Sequence, residues 1–468
     1  MKLHPLELSF HGAARMVTGS KHLITLANSY RVLLDCGMFQ GHSGQAYAMN
    51  REWGFDPQDI DVVLLSHAHI DHSGLLPRLV AQGFAGPIWC TSGTRDLAEA
   101  LLMDSAKIQE ADVRYLRKKH RDADIEPLYS AEDVERTIHR MQTVPFFEEV
   151  TLREGVTFHF TEAGHIIGSG VINLRITDKE RETKICFTGD VGRYNDEILT
   201  APSVFPQSDV IICESTYGDS LHPPIEATDR KLLEIITDTC LRKKGKLIIP
   251  AFSVGRTQEL VYALNRLDVA RALPPIPFYV DSPLSSKATE VTIDHSECYN
   301  NRLLKYMERD PEPFDFPNLH YITDVEDSIK LNTRNEPCVI ISASGMADAG
   351  RVKHHIKHAI SDSRNSILIV GYCEPQSLGA RLSAGRKEVT IFGAPYPVEA
   401  EIYNLRSFSA HADYDDLIQF LGCQTPSEVK NLFIVHGEPD TQSTFKQKLA
   451  QRGFRHIDIP ELHQRFTL

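Results

Sequence analysis

Three histidines and an aspartate fall within the six residues His67-Ala68-His69-Ile70-Asp71-His72. Imidazole nitrogen and carboxylate oxygen suit a borderline divalent metal, zinc first and manganese as its nearest competitor. Burying that many polar groups behind the apolar run Val62-Val63-Leu64-Leu65 is costly unless they share a partner. A catalytic metal takes about three or four protein ligands and keeps one position open, so two metals need more than one short motif can supply. His165, Asp190 and His436 are candidates for the remainder, in Ala163-Gly164-His165, Thr188-Gly189-Asp190 and Val435-His436-Gly437. Each follows a strand-like run or sits in a Gly-bounded loop, and each alone could equally be an ordinary structural residue.

These side chains need strands to carry them. Tyr30 to Asp35, Val62 to Ser66, Lys184 to Thr188 and Val210 to Glu214 are short apolar runs of buried-strand length, each ending on a polar residue. His67 and His69 are expected at a strand end or tight loop, with Asp71 and His72 in the same loop. From 93 to 142 the pattern turns helical, with Leu97, Leu101 and Leu102 on one face. Beyond about 225, helix and strand alternate: helices over 231–243, 257–267 and 352–360, strands over 247–249, 277–280, 339–342 and 367–370. Such alternation implies a parallel α/β sheet. After about 400 the short-strand pattern of the N-terminal segment returns, with Leu432 to Val435 as a strand ending on His436, so the middle segment reads as an insertion.

With 468 residues, the chain is long enough for two large units. Its 42% hydrophobic and 24% charged residues predict a globular protein, and no apolar stretch reaches the roughly 20 residues of a membrane helix. Met1 to Glu7 does not read as a signal peptide, so a cytoplasmic location is expected. Nine cysteines without a C-x-x-C pair suit buried free thiols. A net charge of -13 argues against broad electrostatic adhesion to nucleic acid, though bound cations would make the site itself locally positive. The basic run Arg117-Lys118-Lys119-His120-Arg121 is expected on a solvated helix face, with an RNA contact as the alternative.

Taken together, Leu34-Asp35-Cys36-Gly37, His67 to His72, Gly164-His165, Gly189-Asp190, Glu214-Ser215-Thr216-Tyr217-Gly218, Ser409-Ala410-His411-Ala412-Asp413 and Val435-His436-Gly437 resemble, in order, the motifs of the metallo-β-lactamase superfamily. The likeness is to its β-CASP branch of RNA-processing nucleases, which includes the nuclease subunit of mRNA cleavage and polyadenylation. It implies an α/β fold: an αββα sandwich (1–216 and 401–468) interrupted by a β-CASP α/β domain (217–400), with the active site in the cleft between them. It also implies two zinc ions. His67, His69, His165 and Asp190 would hold one, and Asp71, His72 and His436 the other, with Asp190 bridging them and Asp71 also acting in catalysis. Asp35 would orient a ligand histidine, His411 would be the general acid, and Glu214 its hydrogen-bonded partner.

The metal motif alone suits phosphodiesters, lactams, thioesters and lactones alike. Histidine at 436 resembles RNA-directed members, where DNA-directed ones tend to carry an aliphatic residue. In the insertion, Ser344-Gly345-Met346 matches a family segment and could cradle a phosphate at a helix start. Arg256 could pair a phosphate or cap a carboxylate, and Ser409 could bind phosphate or cap a helix. Arg351 stands where many members have proline, and the stretch from 103 to 150 is long. An end at 468, soon after His436, predicts no appended RNA-binding or dimerisation domain, while leaving a homodimer open. The resulting expectation is a zinc ribonuclease acting on single-stranded RNA by water attack, endonucleolytic or exonucleolytic from the 5′ end. The alternatives are a hydrolase of small esters, thioesters or lactones, and a non-enzymatic RNA-binding subunit.

Overall fold

The structure is a computed structural model and describes residues 6–41, 44–119, 126–178, 181–222, 228–371, 373–374, 376–405 and 409–468. The chain forms two compact units: 1–221 with 411–468, and 222–410 between them in sequence.

Among the described residues, the first unit holds two seven-stranded sheets. Leu8, Phe10, Ile24, Val32, Leu34, Val62 and Leu64 from one sheet pack against Phe158, Phe160, Ile172, Leu174, Phe187, Ile212 and Phe433 from the other. The second sheet's other face packs on helices Tyr414–Leu421 and Pro439–Gln451. Ile211, Cys213, Leu432 and Ile434 meet Leu417, Phe420, Phe445 and Leu449 there. The period of two sends Ile212 to one core and its neighbours Ile211 and Cys213 to the other, so the strand is apolar throughout. Helices Leu76–Ala81, Ser92–Lys119 and Ala131–Ile138 accompany the first sheet, completing the αββα sandwich.

The strands that matter run the same way. Arg31–Leu34 and Val62–Leu64 are parallel neighbours in one sheet; Arg181–Phe187, Val210–Cys213 and Asn431–Ile434 are parallel in the other. Val156–Glu162 shares that direction, being separated from Arg181–Phe187 by one antiparallel strand. Within each sheet these C-terminal ends therefore lie along one edge, and Asp35, His67, His165, Asp190, Glu214 and His436 all follow such an end.

The second unit contains a six-stranded, wholly parallel sheet in the order Leu319–Tyr321, Phe278–Val280, Cys338–Ser342, Lys246–Pro250, Ser366–Val370, Glu401–Leu405. Its last strand moves the expected boundary at 400: Glu401–Leu405 hydrogen-bonds to Ser366–Val370 and belongs to this sheet. Its largely exposed pattern resembles the first unit's outer strands, which hid its allegiance.

Two other expectations change. The helical stretch of 93–142 is two helices followed by strand Met141–Thr143, the second helix starting at a Ser130–Asp133 capping box. Asp71 and His72 lie in the short helix Ile70–Ser73 rather than in a loop, with His69 at its N-cap. Of the basic run, Arg117 to Lys119 close the long helix, and His120 and Arg121 lie outside the described residues. Arg351 braces the second unit: it donates to the buried Asp281 carboxylate at 2.7 Å and to the Thr323 carbonyl at 2.7 Å. No helix among the described residues is long and apolar enough to cross a membrane.

Candidate metal centre

At the shared strand edge of the first unit, three imidazoles converge. His67 Nε2 lies 3.2 Å from His69 Nδ1, and His165 Nε2 lies 3.1 Å from the same atom. Asp190 Oδ2 stands 3.5 Å from both His67 Nε2 and His165 Nε2. Tetrahedral ligands about 2.0–2.1 Å from a zinc ion sit about 3.3–3.4 Å apart, close to these spacings. The other Asp190 oxygen faces a second group: Oδ1 is 3.2 Å from His72 Nε2 and 3.6 Å from His436 Nδ1, and His436 Nε2 is 3.4 Å from Asp71 Oδ2. His72 Nε2 and Asp190 Oδ1 are buried without a hydrogen-bond partner. Two orphaned, ligand-type atoms at one spot are what an absent cation would satisfy, so the residues fit a metal pair.

The tautomers are set from behind. Asp35 Oδ2 accepts His72 Nδ1–H at 2.6 Å, so in the neutral imidazole Nε2 keeps its lone pair toward the centre. Ser66 donates its single hydroxyl proton to Asp35 Oδ2 at 2.9 Å, so its oxygen accepts His67 Nδ1–H at 3.1 Å. Thr216 repeats the device: it donates to Glu214 Oε2 at 2.6 Å and accepts from His436 Nδ1–H at 3.0 Å. Each relay turns one imidazole into an acceptor aimed inward. The turn carrying Asp35 is held by Lys21, whose fully buried ammonium donates to the Gly19 and Gly37 carbonyls at 2.9 and 2.7 Å. Burial pushes that lysine down to about 7, with Cys36 opposing. Gly189, before Asp190, has φ +55°, and a Cβ there would lie 2.6 Å from Ser66 Cβ; only glycine lets the aspartate turn in so close.

Protonation follows from the surroundings. Burial holds His67 well below the ordinary imidazole range and His69 at about 4, so both are neutral imidazoles at neutral pH, the form that can ligate a metal. Burial alone would raise Asp71 and Asp190. The facing imidazoles outweigh it, His436 foremost, bringing Asp71 to about 2 and Asp190 well below its usual value. His72 is pushed down by burial, but Asp190 and Asp35 reverse the direction and raise it.

His411 sits beside this group with its side chain 22% exposed, against 5% or less for His67, His72, His165 and His436. Its Nδ1 is 3.3 Å from Glu214 Oε1 and 3.9 Å from Asp190 Oδ2. Burial opposes its charge, yet Glu214 and then Asp190 raise it to about 9. Asp190, Glu214 and His411 could themselves gather round an ion. Glu214, however, already accepts the Val191 N–H at 2.6 Å and the Thr216 hydroxyl, whereas His72 Nε2 and Asp190 Oδ1 are buried without a hydrogen-bond partner.

The structure thus brings Asp35, His67, His69, Asp71, His72, His165, Asp190, Glu214, His411 and His436 together. Ser344, Gly345, Met346 and Arg256 lie in the second unit, past the ends of adjacent strands Cys338–Ser342 and Lys246–Pro250. Arg256 is buried and ion-paired to Glu259 at 2.5 Å. Ser409 is partly buried. Sequence reasoning missed Ser66, Thr216 and Lys21. Adjacency to His67 and to Glu214 is the signal that could have found the first two; nothing local marks Lys21.

Comparison with known proteins agrees in order and extent. The chain matches the models of the metallo-β-lactamase superfamily over residues 22–236, the Beta-Casp domain over 257–382, and the Zn-dependent metallo-hydrolase RNA specificity domain over 395–460. It is 35% identical to a ribonuclease of Thermus thermophilus, covering 94% of this chain and 95% of that one. An RNase J-like protein of Methanocaldococcus jannaschii is 31% identical over 92% of each chain. The transcription termination factor FttA of the same organism is 31% identical over 92% of this chain and 67% of its own. A crystal structure of an Enterococcus faecalis protein of unknown function shares the fold, with TM-score 0.55 at 12% identity, over 99% of this chain and 100% of that one. On motifs, fold and relatives together, the chain belongs to the β-CASP family of the metallo-β-lactamase superfamily.

Proposed function

We propose that this protein is a zinc-dependent ribonuclease that hydrolyses phosphodiester bonds of single-stranded RNA, in RNA processing or decay. The observation that carries the metal half is Asp190, whose two oxygens face two separate histidine groups. His67, His69, His165 and Asp190 would hold one ion, and Asp71, His72, His436 and Asp190 the other. A donor set this rich in imidazole favours zinc over manganese. The RNA half rests on relatives named as ribonuclease and RNase J-like, and on the RNA specificity domain match, which spans His411 and His436. The free thiols of all nine cysteines support a cytoplasmic setting.

Two bound ions would supply an activated water and charge to stabilise the entering and leaving oxygens of an in-line displacement. The chain's residues do the rest. Asp35, Ser66 and Thr216 keep three imidazoles in the ligating tautomer. His411, its Nδ1 on Glu214, keeps Nε2–H for the leaving oxygen and donates that proton as the bond breaks.

Turnover of a labelled single-stranded RNA oligonucleotide beside a panel of thioesters and lactones tests the reading. The zinc-loaded protein should cleave RNA and lose that activity on chelation. Turnover of a thioester or lactone with RNA left intact would replace the ribonuclease by a small-molecule hydrolase. RNA bound but uncut, with less than about one zinc per chain, would replace it by a binding subunit.

A further inference from the structure

In the second unit, the chain leaves two neighbouring strands in opposite directions. From Lys246–Pro250 it passes through helix Arg256–Val269 to Phe278–Val280, toward one edge of the sheet; from Cys338–Ser342 it passes through helix Gly350–Ala359 to Ser366–Val370, toward the other. Right-handed crossovers then place the two helices on opposite faces, so the loops after these two strands turn to opposite sides of the sheet. That switch point, at the carboxyl ends of the strands, is where open α/β sheets bind ligands.

One loop carries Phe252, and the other carries Ser344, Gly345 and Met346. Phe252 is 42% exposed although its loop is pinned: its carbonyl accepts the Thr257 hydroxyl at 2.8 Å, and the Ser253 carbonyl accepts Gln258 Nε2 at 3.2 Å. The ring lies against Gly345, where a Cβ would come within 2.8, 2.9 and 3.1 Å of three of its carbons. Gly345 is outside the left-handed region, so the ring, not the backbone conformation, requires glycine there. The unit's other exposed Phe, Tyr or Trp ring among the described residues, Phe392, is in a hairpin turn and packs on His354, the two planes tilted by 37°.

An aromatic ring backed by a bare glycine and open to solvent at such a switch point has the form of a stacking platform, which any base can use. We propose that Phe252 stacks a nucleobase of the RNA strand, and that Gly345 is kept bare to seat the ring beside the Ser344–Met346 segment. This inference rests on the ribonuclease reading. Phe252→Ala should raise KM for single-stranded RNA about tenfold with kcat and zinc content unchanged, and Phe252→Trp should restore it. An oligonucleotide made abasic at one position should show the same rise with the wild-type protein, and Phe252→Ala should then add nothing to it. A KM for Phe252→Ala within about twofold of wild type, or a loss that adds to every abasic position alike, would overturn the platform. Wild-type protein that leaves RNA uncut would instead overturn the ribonuclease reading, a result separable from RNA cleavage indifferent to Phe252.

Discussion

Asp190→Ala should lose both metals and RNA cleavage in one step. The carboxylate is 1% exposed and spans the two histidine groups, so no neighbouring side chain can take over both of its contacts. His436 foremost, then His72, His411 and His67, hold it ionised against its burial, which marks it as a fixed anion of the site. Removing it leaves each ion one ligand short and leaves positive charge uncompensated in a dry pocket. Metal analysis should find less than about one zinc per chain, and cleavage should fall by about 10³-fold or more, since the ions' share of transition-state stabilisation goes with them. Circular dichroism confirms that the variant is folded. Two zincs retained by the folded variant would show that Asp190 bridges nothing.

His411→Ala should separate metal from chemistry. His411 shares Asp190 as a neighbour, but its Nδ1 is turned to Glu214, and it is more exposed than His67, His72, His165 and His436. Loss of a general acid costs about 10²- to 10⁴-fold in rate while zinc content holds. Glu214 and Asp190 raise His411 against its burial, and cations at Asp190 would bring it back toward neutrality, where a proton donor works best. An unchanged rate in the folded, zinc-loaded variant excludes the role.

How legible the site was depended on how local its parts were. His67 to His72 announces a metal because four ligand-type side chains share one strand end. His165, Asp190 and His436 are separated from it by about 95 to 365 residues of chain and acquire meaning only through the family's motif order or through the parallel strands that end beside it. The relays through Ser66 and Thr216 depend on where one hydroxyl proton points, which no pattern of residue types encodes. In the fold, the buried strands Val62–Leu64, Val210–Cys213 and Lys246–Pro250 were visible as apolar runs. Glu401–Leu405 was not, because a largely exposed edge strand has the same pattern whichever sheet it joins. Arg256 could be read two ways from sequence; in the structure it is buried and ion-paired to Glu259.

Hydrolysis of RNA by metal-activated water is the central claim, and cleavage in ¹⁸O-enriched water tests it most directly. The zinc-loaded protein should give fragments with 3′-hydroxyl ends and 5′-phosphates carrying one ¹⁸O from solvent per cut, read by mass spectrometry. Fragments ending in 2′,3′-cyclic phosphate with 5′-hydroxyl partners would mean that the RNA's own 2′-oxygen attacks, and would contradict the two-metal account.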